Sequence, residues 1–369
     1  MQKLITSPEQ VTPEWLTRIL YSKGYLTQGR VISVRKVNRL QHVVPFFADI
    51  SFLKASYSYS SKVPQSAPRW LCLKVSKPNL EPADLLLGRK EVEFYNAIAS
   101  TMDNPPLARC YDAVYVPDTG QSHLLLDDLS ETHFQPEPPL PPSNLHCEQL
   151  MDCLARFHAH WWEHPRLGTD IGELANQGPS SEEILRFPYS MRETEEMFSG
   201  FVDFLGDRLS IARRKLYEQV LSAWPFPGLA ERLIERRSLT LVHGDAHVWN
   251  FLYPCHPEHD RVCIIDWHEW GISLGTNDLA EMIGLWWYPE RRARMEEPLL
   301  RRYHDRLLAH GVADYSWERC WDDYRLSAIR NLFGPVWMQA EGRPPSTWWP
   351  VSERVVLAFQ DLECANLLE

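Results

Sequence analysis

The sequence predicts an α+β chain of two lobes, an antiparallel sheet lobe on the N-terminal side and a larger, mainly helical lobe after it. Three observations carry this. Segments 31–37, 47–57 and 70–75 are β-branched or aromatic runs separated by turn or polar residues, the pattern of neighbouring antiparallel strands. The stretch from Gln135 to Ser143, Gln-Pro-Glu-Pro-Pro-Leu-Pro-Pro-Ser, is a stiff connector with few backbone donors. From Asn144 onward, apolar residues recur at helical spacing. A length of 369 residues suffices for two cores, and we set the lobes at 1–130 and 131–369.

Thr12-Pro13-Glu14 supplies an N-cap residue, a proline at the first helical position and an early acid, so a helix is expected to start there and stop near Gly24. Three strands follow it, then a helix over 84–100 and a strand ending Leu124-Leu125-Leu126-Asp127-Asp128-Leu129. Past the proline-rich connector, helices are expected over 146–160, 181–204 and 208–223. Further helices are expected over 277–287, 289–310, 317–339 and 349–368. No fixed-period repeat is visible, which excludes a solenoid.

Hydrophobic residues make up 44% and charged residues 24%, the balance of an ordered globular protein. The net charge of -11 argues against a nucleic-acid surface, which needs concentrated positive potential. Arg291, Arg292 and Arg294, with Arg301 and Arg302, alternate with Glu290, Glu296, Glu297 and Asp305, as on a solvated, salt-bridged helix face. No apolar stretch approaches the roughly 18 residues of a membrane span, and Met1 to Pro8 lacks the pattern of a leader. A cytoplasmic protein that contacts no membrane is expected. Eight cysteines without a Cys-x-x-Cys pair suit reduced, mostly buried thiols. Cys255, His256, His259 and Cys263, with His243 and His247, can be drawn as a zinc site, but Pro254 and Pro257 make the first part of that set read as a connecting loop.

The most informative stretch is Leu241-Val242-His243-Gly244-Asp245-Ala246-His247-Val248-Trp249-Asn250, followed by Cys263-Ile264-Ile265-Asp266-Trp267. Phosphoryl transfer requires a carboxylate to orient the attacking hydroxyl and hard oxygen ligands for magnesium. His-x-Asp-x4-Asn, then Asp at a strand end, supplies them in kinase order: Asp245 for the hydroxyl, Asn250 and Asp266 for Mg2+.

These residues, with Asp278-Leu279-Ala280 after them, resemble the signature of the aminoglycoside phosphotransferase and choline kinase superfamily, and the chain is also similar to ecdysteroid kinase-like proteins. The resemblance covers roughly residues 30 to 285. It implies a bilobal protein-kinase-like fold, ATP (with GTP possible) and Mg2+ as cofactors, and a small-molecule hydroxyl substrate as the partner. It also implies roles for particular residues. Asp127, Asp128 and Leu129 form the hinge beside the nucleotide, and Leu154 to Trp162 lies in the helix before the catalytic loop. His243 supports that loop, His247 neighbours it, and Asp278 braces it, unless Asp278 caps the helix beginning near Asn277.

Lys74 stands in the apolar run Trp70-Leu71-Cys72-Leu73-Lys74-Val75, where an ammonium is costly to bury unless it meets phosphate and a carboxylate. The bland alternative is an edge-strand lysine facing water. The family's lysine-pairing glutamate falls on Glu91, with Glu93 as the rival two residues on. If the charge serves mainly the nucleotide, Lys74→Met leaves the stability of the nucleotide-free protein little changed or raised. Residues 38–47, where the family covers the phosphates with a loop, contain no glycine, and Pro45 has no N–H to donate; Arg39 or His42 is left to contribute.

A protein kinase fits poorly. Gly244 stands where those enzymes carry arginine, only twelve positions separate Asp266 from Asp278, and no Ala-Pro-Glu follows. Among fifteen tryptophans, the pairs Trp161-Trp162, Trp286-Trp287 and Trp348-Trp349 offer rings for a sugar or a cationic amine, or plain helix packing. Aminoglycoside, macrolide, choline-like, sugar and steroid-type alcohols all stay open as acceptors. A non-catalytic nucleotide-binding regulatory module is the rival of another class.

Overall fold

Alternation and capping place the first elements. Thr12 accepts the Trp15 amide through its hydroxyl, and Pro13 occupies the first turn, so α1 spans Pro13–Ser22. The strands β1 (Val31–Val37), β2 (Ala48–Tyr57) and β3 (Trp70–Ser76) follow. Next come α2 (Pro82–Glu93), β4 (Cys110–Val116), β5 (Gln121–Asp127) and β6 (His133–Phe134). The helices α3 (Asn144–Trp161), α4 (Met191–Leu205) and α5 (Ile211–Ala223) lead to β7 (Thr240–Val242). Short strands β8 (Phe251–Pro254), β9 (Cys263–Ile264) and β10 (Gly271–Ser273) precede α6 (Thr276–Ala280). The chain ends with α7 (Pro289–Ala309), α8 (Trp317–Asn331), α9 (Gly334–Ala340) and α10 (Pro345–Asp361). The computed structural model describes residues 3–39, 47–58, 67–78, 82–138, 140–172, 191–223, 232, 235–256, 258 and 261–368. The class is α+β. Among the described residues no helix is long and apolar enough to cross a membrane.

The chain divides into two compact units, one of Met1–Pro142 with Val248–Trp270 and one of Ser143–His247 with Gly271–Glu369. In the first, five antiparallel strands run in the order β1-β2-β3-β5-β4. The period of two sorts β3 by face: Leu71, Leu73 and Val75 are buried in a core shared with Trp15, Leu16, Ile19 and Leu20 of α1. Trp70, Cys72, Lys74 and Ser76 therefore take the opposite face. Because β3 is central, Lys74 is not an edge-strand lysine. A second sheet of this unit, in the order β6-β8-β9, brings Phe251 opposite Ile264.

In the second unit α3 and α7 are cross-linked by Arg302, which donates to both carboxylate oxygens of Asp152 at 2.8 Å and to Glu148 at 3.1 Å. The arginine-rich face of α7 is not uniformly solvated, contrary to expectation. Arg301 pairs with Glu297 in the open, but Arg292 is 1% exposed and pairs with buried Glu296 at 2.8 Å and with Asp361. Burial is tolerated there because each charge meets its opposite and Tyr324 donates to Glu296 at 3.3 Å. The helix expected over 317–339 is two helices, since Pro335 cannot donate back to Asn331 and α8 stops there. The last helix begins earlier than expected, at Pro345, where proline at a first turn starts a helix rather than breaking it. The first ten residues of the helix expected over 181–204 lie outside the described residues.

Trp15 is 4% exposed and joins α1 to the sheet, so Trp15→Ala should lower unfolding stability by about 3–5 kcal/mol. Chemical denaturation measures this, and a loss under about 1 kcal/mol would mean that α1 is not part of the first unit's core.

Candidate active site

Lys74 is the centre of a charge cluster in the first unit. Its ammonium lies 2.7 Å from Glu91 of α2 and also donates to Asp266 beyond β9, with 16% of the side chain exposed. Glu93 instead pairs with Arg89 at 2.6 Å in the open, so Lys74 meets Glu91 and not its rival. Burial alone would lower the Lys74 ammonium, but Asp266 and Glu91 outweigh it and hold the group above its ordinary value. Burial raises the Glu91 carboxyl despite Lys74. Asp266 goes the other way: burial is overcome by Lys74 and by His268, whose Nδ1 lies 3.1 Å away, and the carboxyl is held well below the usual aspartate range.

The aim of Asp266 is fixed by its neighbours. Its φ of 68° is left-handed, a conformation costing a non-glycine residue about 1 kcal/mol. Trp267, fully buried, stacks on Phe94 just past α2 at 3.9 Å and 7°, and Trp270 donates to the Lys90 carbonyl at 2.8 Å. The strand end is thus pinned to the helix that carries Glu91. Asn250 precedes β8, and the Ile265 amide donates to its carbonyl at 3.0 Å, so the β8–β9 ladder sets buried Asn250 beside the Ile265-Asp266 turn. Both side chains offer hard oxygens, the donor set that suits Mg2+.

At the segment expected to form a hinge, the side chains bind within the protein. Asp127 accepts the Tyr111 hydroxyl at 2.5 Å, Asp128 accepts the Ser130 amide at 2.9 Å and pairs with Arg39 at 3.3 Å, and the Leu129 carbonyl accepts the amides of Thr132 and His133. Arg39, at the start of the glycine-free loop, lies 4.6 Å over the Trp70 ring and 3.3 Å from Glu131. His42 and Pro45 lie outside the described residues.

The second unit holds Asp245 in a turn after β7. Gly244 has a φ of 83°, which glycine adopts without strain and which sets Asp245 on the far side of the bend. Asp278 is fully buried, and its carboxylate accepts the amides of His243 at 2.8 Å and Gly244 at 3.0 Å. It is not a helix cap, because Gly275 holds that position in α6. His243, also buried, accepts the Asp245 amide through Nδ1 at 3.2 Å. The His247 Nε2 lies 3.6 Å from Asp245, with its ring edge-on to Trp286 at 6.0 Å. Burial would raise the Asp278 carboxyl, but hydrogen bonding and charge from His158 and His243 hold it below its usual value.

Sequence reasoning missed His158, Tyr303 and Glu281. Fully buried on α3, His158 reaches Asp278 through Nε2 at 3.1 Å and Tyr303 through Nδ1 at 2.8 Å. With Nε2–H donating to the carboxylate, Nδ1 accepts the phenol proton. Gly275 makes room, since a Cβ there would lie 2.4 Å from the Tyr303 hydroxyl. The only signal was a histidine on an apolar helix face, which is no signal of a partner. Of the tryptophan pairs, Trp161, Trp287 and Trp348 are buried packing residues. Among the described residues no three His, Cys, Asp or Glu side chains gather as a metal site; His259 lies outside them.

The ecdysteroid kinase-like family model matches residues 86–312. Among solved structures, a protein assigned as an aminoglycoside phosphotransferase from Ralstonia eutropha is 15% identical, with 95% of this chain and 97% of that chain covered and a TM-score of 0.52. A choline kinase from Cryptosporidium parvum is 11% identical, with 97% and 93% covered and a TM-score of 0.52. The GDP and kanamycin complex of APH(2")-IIia is 13% identical, with 96% and 99% covered and a TM-score of 0.50. At these identities the likeness is one of fold. No curated protein matches the chain.

Because Lys74 meets two carboxylates within the protein, Lys74→Met is expected to bear on the fold itself as well as on nucleotide binding. That change leaves buried Glu91 facing Asp266, and the nucleotide-free protein should lose about 3 kcal/mol at neutral pH. Because Asp266 is depressed, its share is present above the ordinary aspartate value and lost as pH falls through the lower one, so the deficit should shrink in acid. Denaturation of both proteins at several pH values checks this; equal stability at pH 7 would dismiss the cluster. Asp278→Asn removes one acceptor from two buried amides and should cost about 1–3 kcal/mol by the same measurement. An unchanged midpoint would mean the turn finds other acceptors.

Proposed function

The chain belongs to the ecdysteroid kinase-like family, and on that premise we propose that it is a small-molecule kinase, transferring the terminal phosphate of ATP or GTP to a hydroxyl of a small substrate. The observation that carries the reading is Lys74 held between Glu91 and Asp266. An ammonium fixed by two carboxylates has donors in a set direction, which suits nucleotide phosphates better than a mobile surface lysine does. The first unit supplies Lys74 and Glu91 for the nucleotide phosphates, with the hinge at Asp127, Asp128 and Leu129 beside the nucleotide. Asn250 and Asp266 would hold Mg2+, which when bound neutralises phosphate charge.

From the second unit, Asp245 orients the acceptor hydroxyl and receives its proton as the bond to phosphorus forms and the nucleoside diphosphate leaves. Asp278, His158 and His243 hold the turn that carries it. The protein's part is positioning and charge compensation.

Purified protein with Mg-ATP, then Mg-GTP, is screened against a library of hydroxyl-bearing metabolites and antibiotics for nucleoside diphosphate release. Once the acceptor is found, Asp245→Asn should lower kcat at least about a hundredfold with nucleotide affinity kept. Near-normal turnover would remove Asp245 from the mechanism. Chelation should abolish turnover, and Asp266→Ala should erase the metal dependence of nucleotide binding. A nucleotide-induced melting shift with no transfer to any alcohol would instead favour a regulatory nucleotide-binding module.

A further inference from the structure

Arg39 is held at one end of the sheet face that carries Lys74. Its Nε lies 3.3 Å from buried Asp128, its Nη2 lies 3.3 Å from exposed Glu131, and its guanidinium carbon lies 4.6 Å over the Trp70 ring. Trp70 is itself tied to this place, because its carbonyl accepts the Asp128 amide at 3.2 Å. The other oxygen of Asp128 accepts the Ser130 amide at 2.9 Å, which fixes the carboxylate that in turn fixes Arg39. Lys54, opposite Trp70 on β2, puts its ammonium 4.5 Å over the same ring, so the electron-rich indole draws two cations while the two acids answer Arg39.

Position along β3 decides what Arg39 can reach. Trp70 and Lys74 share a face and stand four residues apart, about 13 Å along an extended strand. With phosphates at Lys74, a guanidinium over Trp70 lies beyond them, at the opposite end of a nucleotide laid along this face toward the segment 127–131. Swinging Arg39 back to the phosphates would strip buried Asp128 of its counter-charge, which is costly. The one described arginine of the glycine-free loop is therefore fixed away from the place where a phosphate-covering loop would use it.

We propose that Arg39 is a nucleobase-binding residue: held across the Trp70 ring by Asp128 and Glu131, its guanidinium offers its other side to the face of the base and leaves the phosphates to Lys74. This rests on the reading that Lys74 receives the nucleotide phosphates. A guanidinium stacks on aromatic faces, and every purine presents one, so the contact serves adenine and guanine alike. Lysine at this position keeps the charge and loses the plane.

The test is calorimetric titration of the full-length protein, in Mg2+, with adenosine, ATP, GTP and inorganic tripolyphosphate. Wild type is compared with Arg39→Ala and Arg39→Lys. Arg39→Ala should weaken adenosine, ATP and GTP each by at least about fivefold and leave tripolyphosphate within about twofold. Arg39→Lys should keep the wild-type Tm, because the pair with Asp128 survives, and still bind adenosine at least about threefold more weakly. That difference separates contact with the base from mere support of the segment 127–131. Weaker tripolyphosphate and ATP binding with adenosine unchanged would put Arg39 on the phosphates and overturn the proposal. Full recovery of adenosine binding in Arg39→Lys, unaltered affinities in Arg39→Ala, or no adenosine binding by a wild type that binds ATP would overturn it as well. A wild type that binds neither ATP nor GTP ends the kinase reading itself, and the role of Arg39 falls with it.

Discussion

The first unit is organised around one constraint: a largely buried ammonium on the sheet face opposite the α1 core must be met by carboxylates. Lys74 requires β3 to be central, so that its side chain is walled in on both sides by neighbouring strands. It requires α2 to present Glu91, and the chain leaving β9 to turn left-handed so that Asp266 reaches the same ammonium. Buried ion pairs contribute little net stability, because desolvation nearly offsets attraction. What they contribute is geometry. Apolar contacts supply the stabilisation nearby, where Trp267 lies flat on Phe94 and ties the Asp266 turn to the end of α2.

The second unit faces a different problem with a related answer. A tight turn that projects Asp245 cannot form the ladder bonds of a strand or a helix, so its amides need acceptors from elsewhere. Asp278 and Glu281 come from a helix remote in sequence, and His158 then orients Asp278. Asp278, fully buried, and Glu281, part-buried, differ in what surrounds them. Asp278 has His158 and two amides and sits below its usual value; desolvation and then the Asp245 charge set Glu281 above its own, despite Arg330. Environment, not residue type, divides the roles.

Much of this was legible in the chain. Strand alternation marked β1, β2 and β3 nearly to the residue, because a sheet covered on one face by a helix leaves a period of two in the sequence. Thr12-Pro13 marked α1 because capping is local. Lys74, Asp245, Asn250 and Asp266 stood out because phosphoryl transfer would demand those residue types at those spacings, and Asp278 because of the family resemblance. His158, Tyr303 and Glu281 did not, since each acts through a partner more than thirty residues away and no local pattern records such a contact. The buried state of Arg292 was hidden for the same reason. Its partner Asp361 belongs to the last helix, and alternating charge on α7 reads as solvated until that helix is seen to cover it.

Charge bookkeeping in the first unit gives the Lys74 cluster a direction. One ammonium faces two carboxylates, with His268 beside one of them, so the cluster alone is not a receptive site for an anion. A polyphosphate approaching Lys74 competes with Asp266 for the same donors, and any carboxylate released from Lys74 needs another cation. On the proposed reading that cation is the metal entering with the nucleotide, for which Asn250 already stands beside the Asp266 turn. Nucleotide and metal would then favour each other's binding, because each removes the electrostatic cost that the other creates. Glu91, more deeply buried than Asp266 and less able to leave, would keep Lys74 aligned during the exchange.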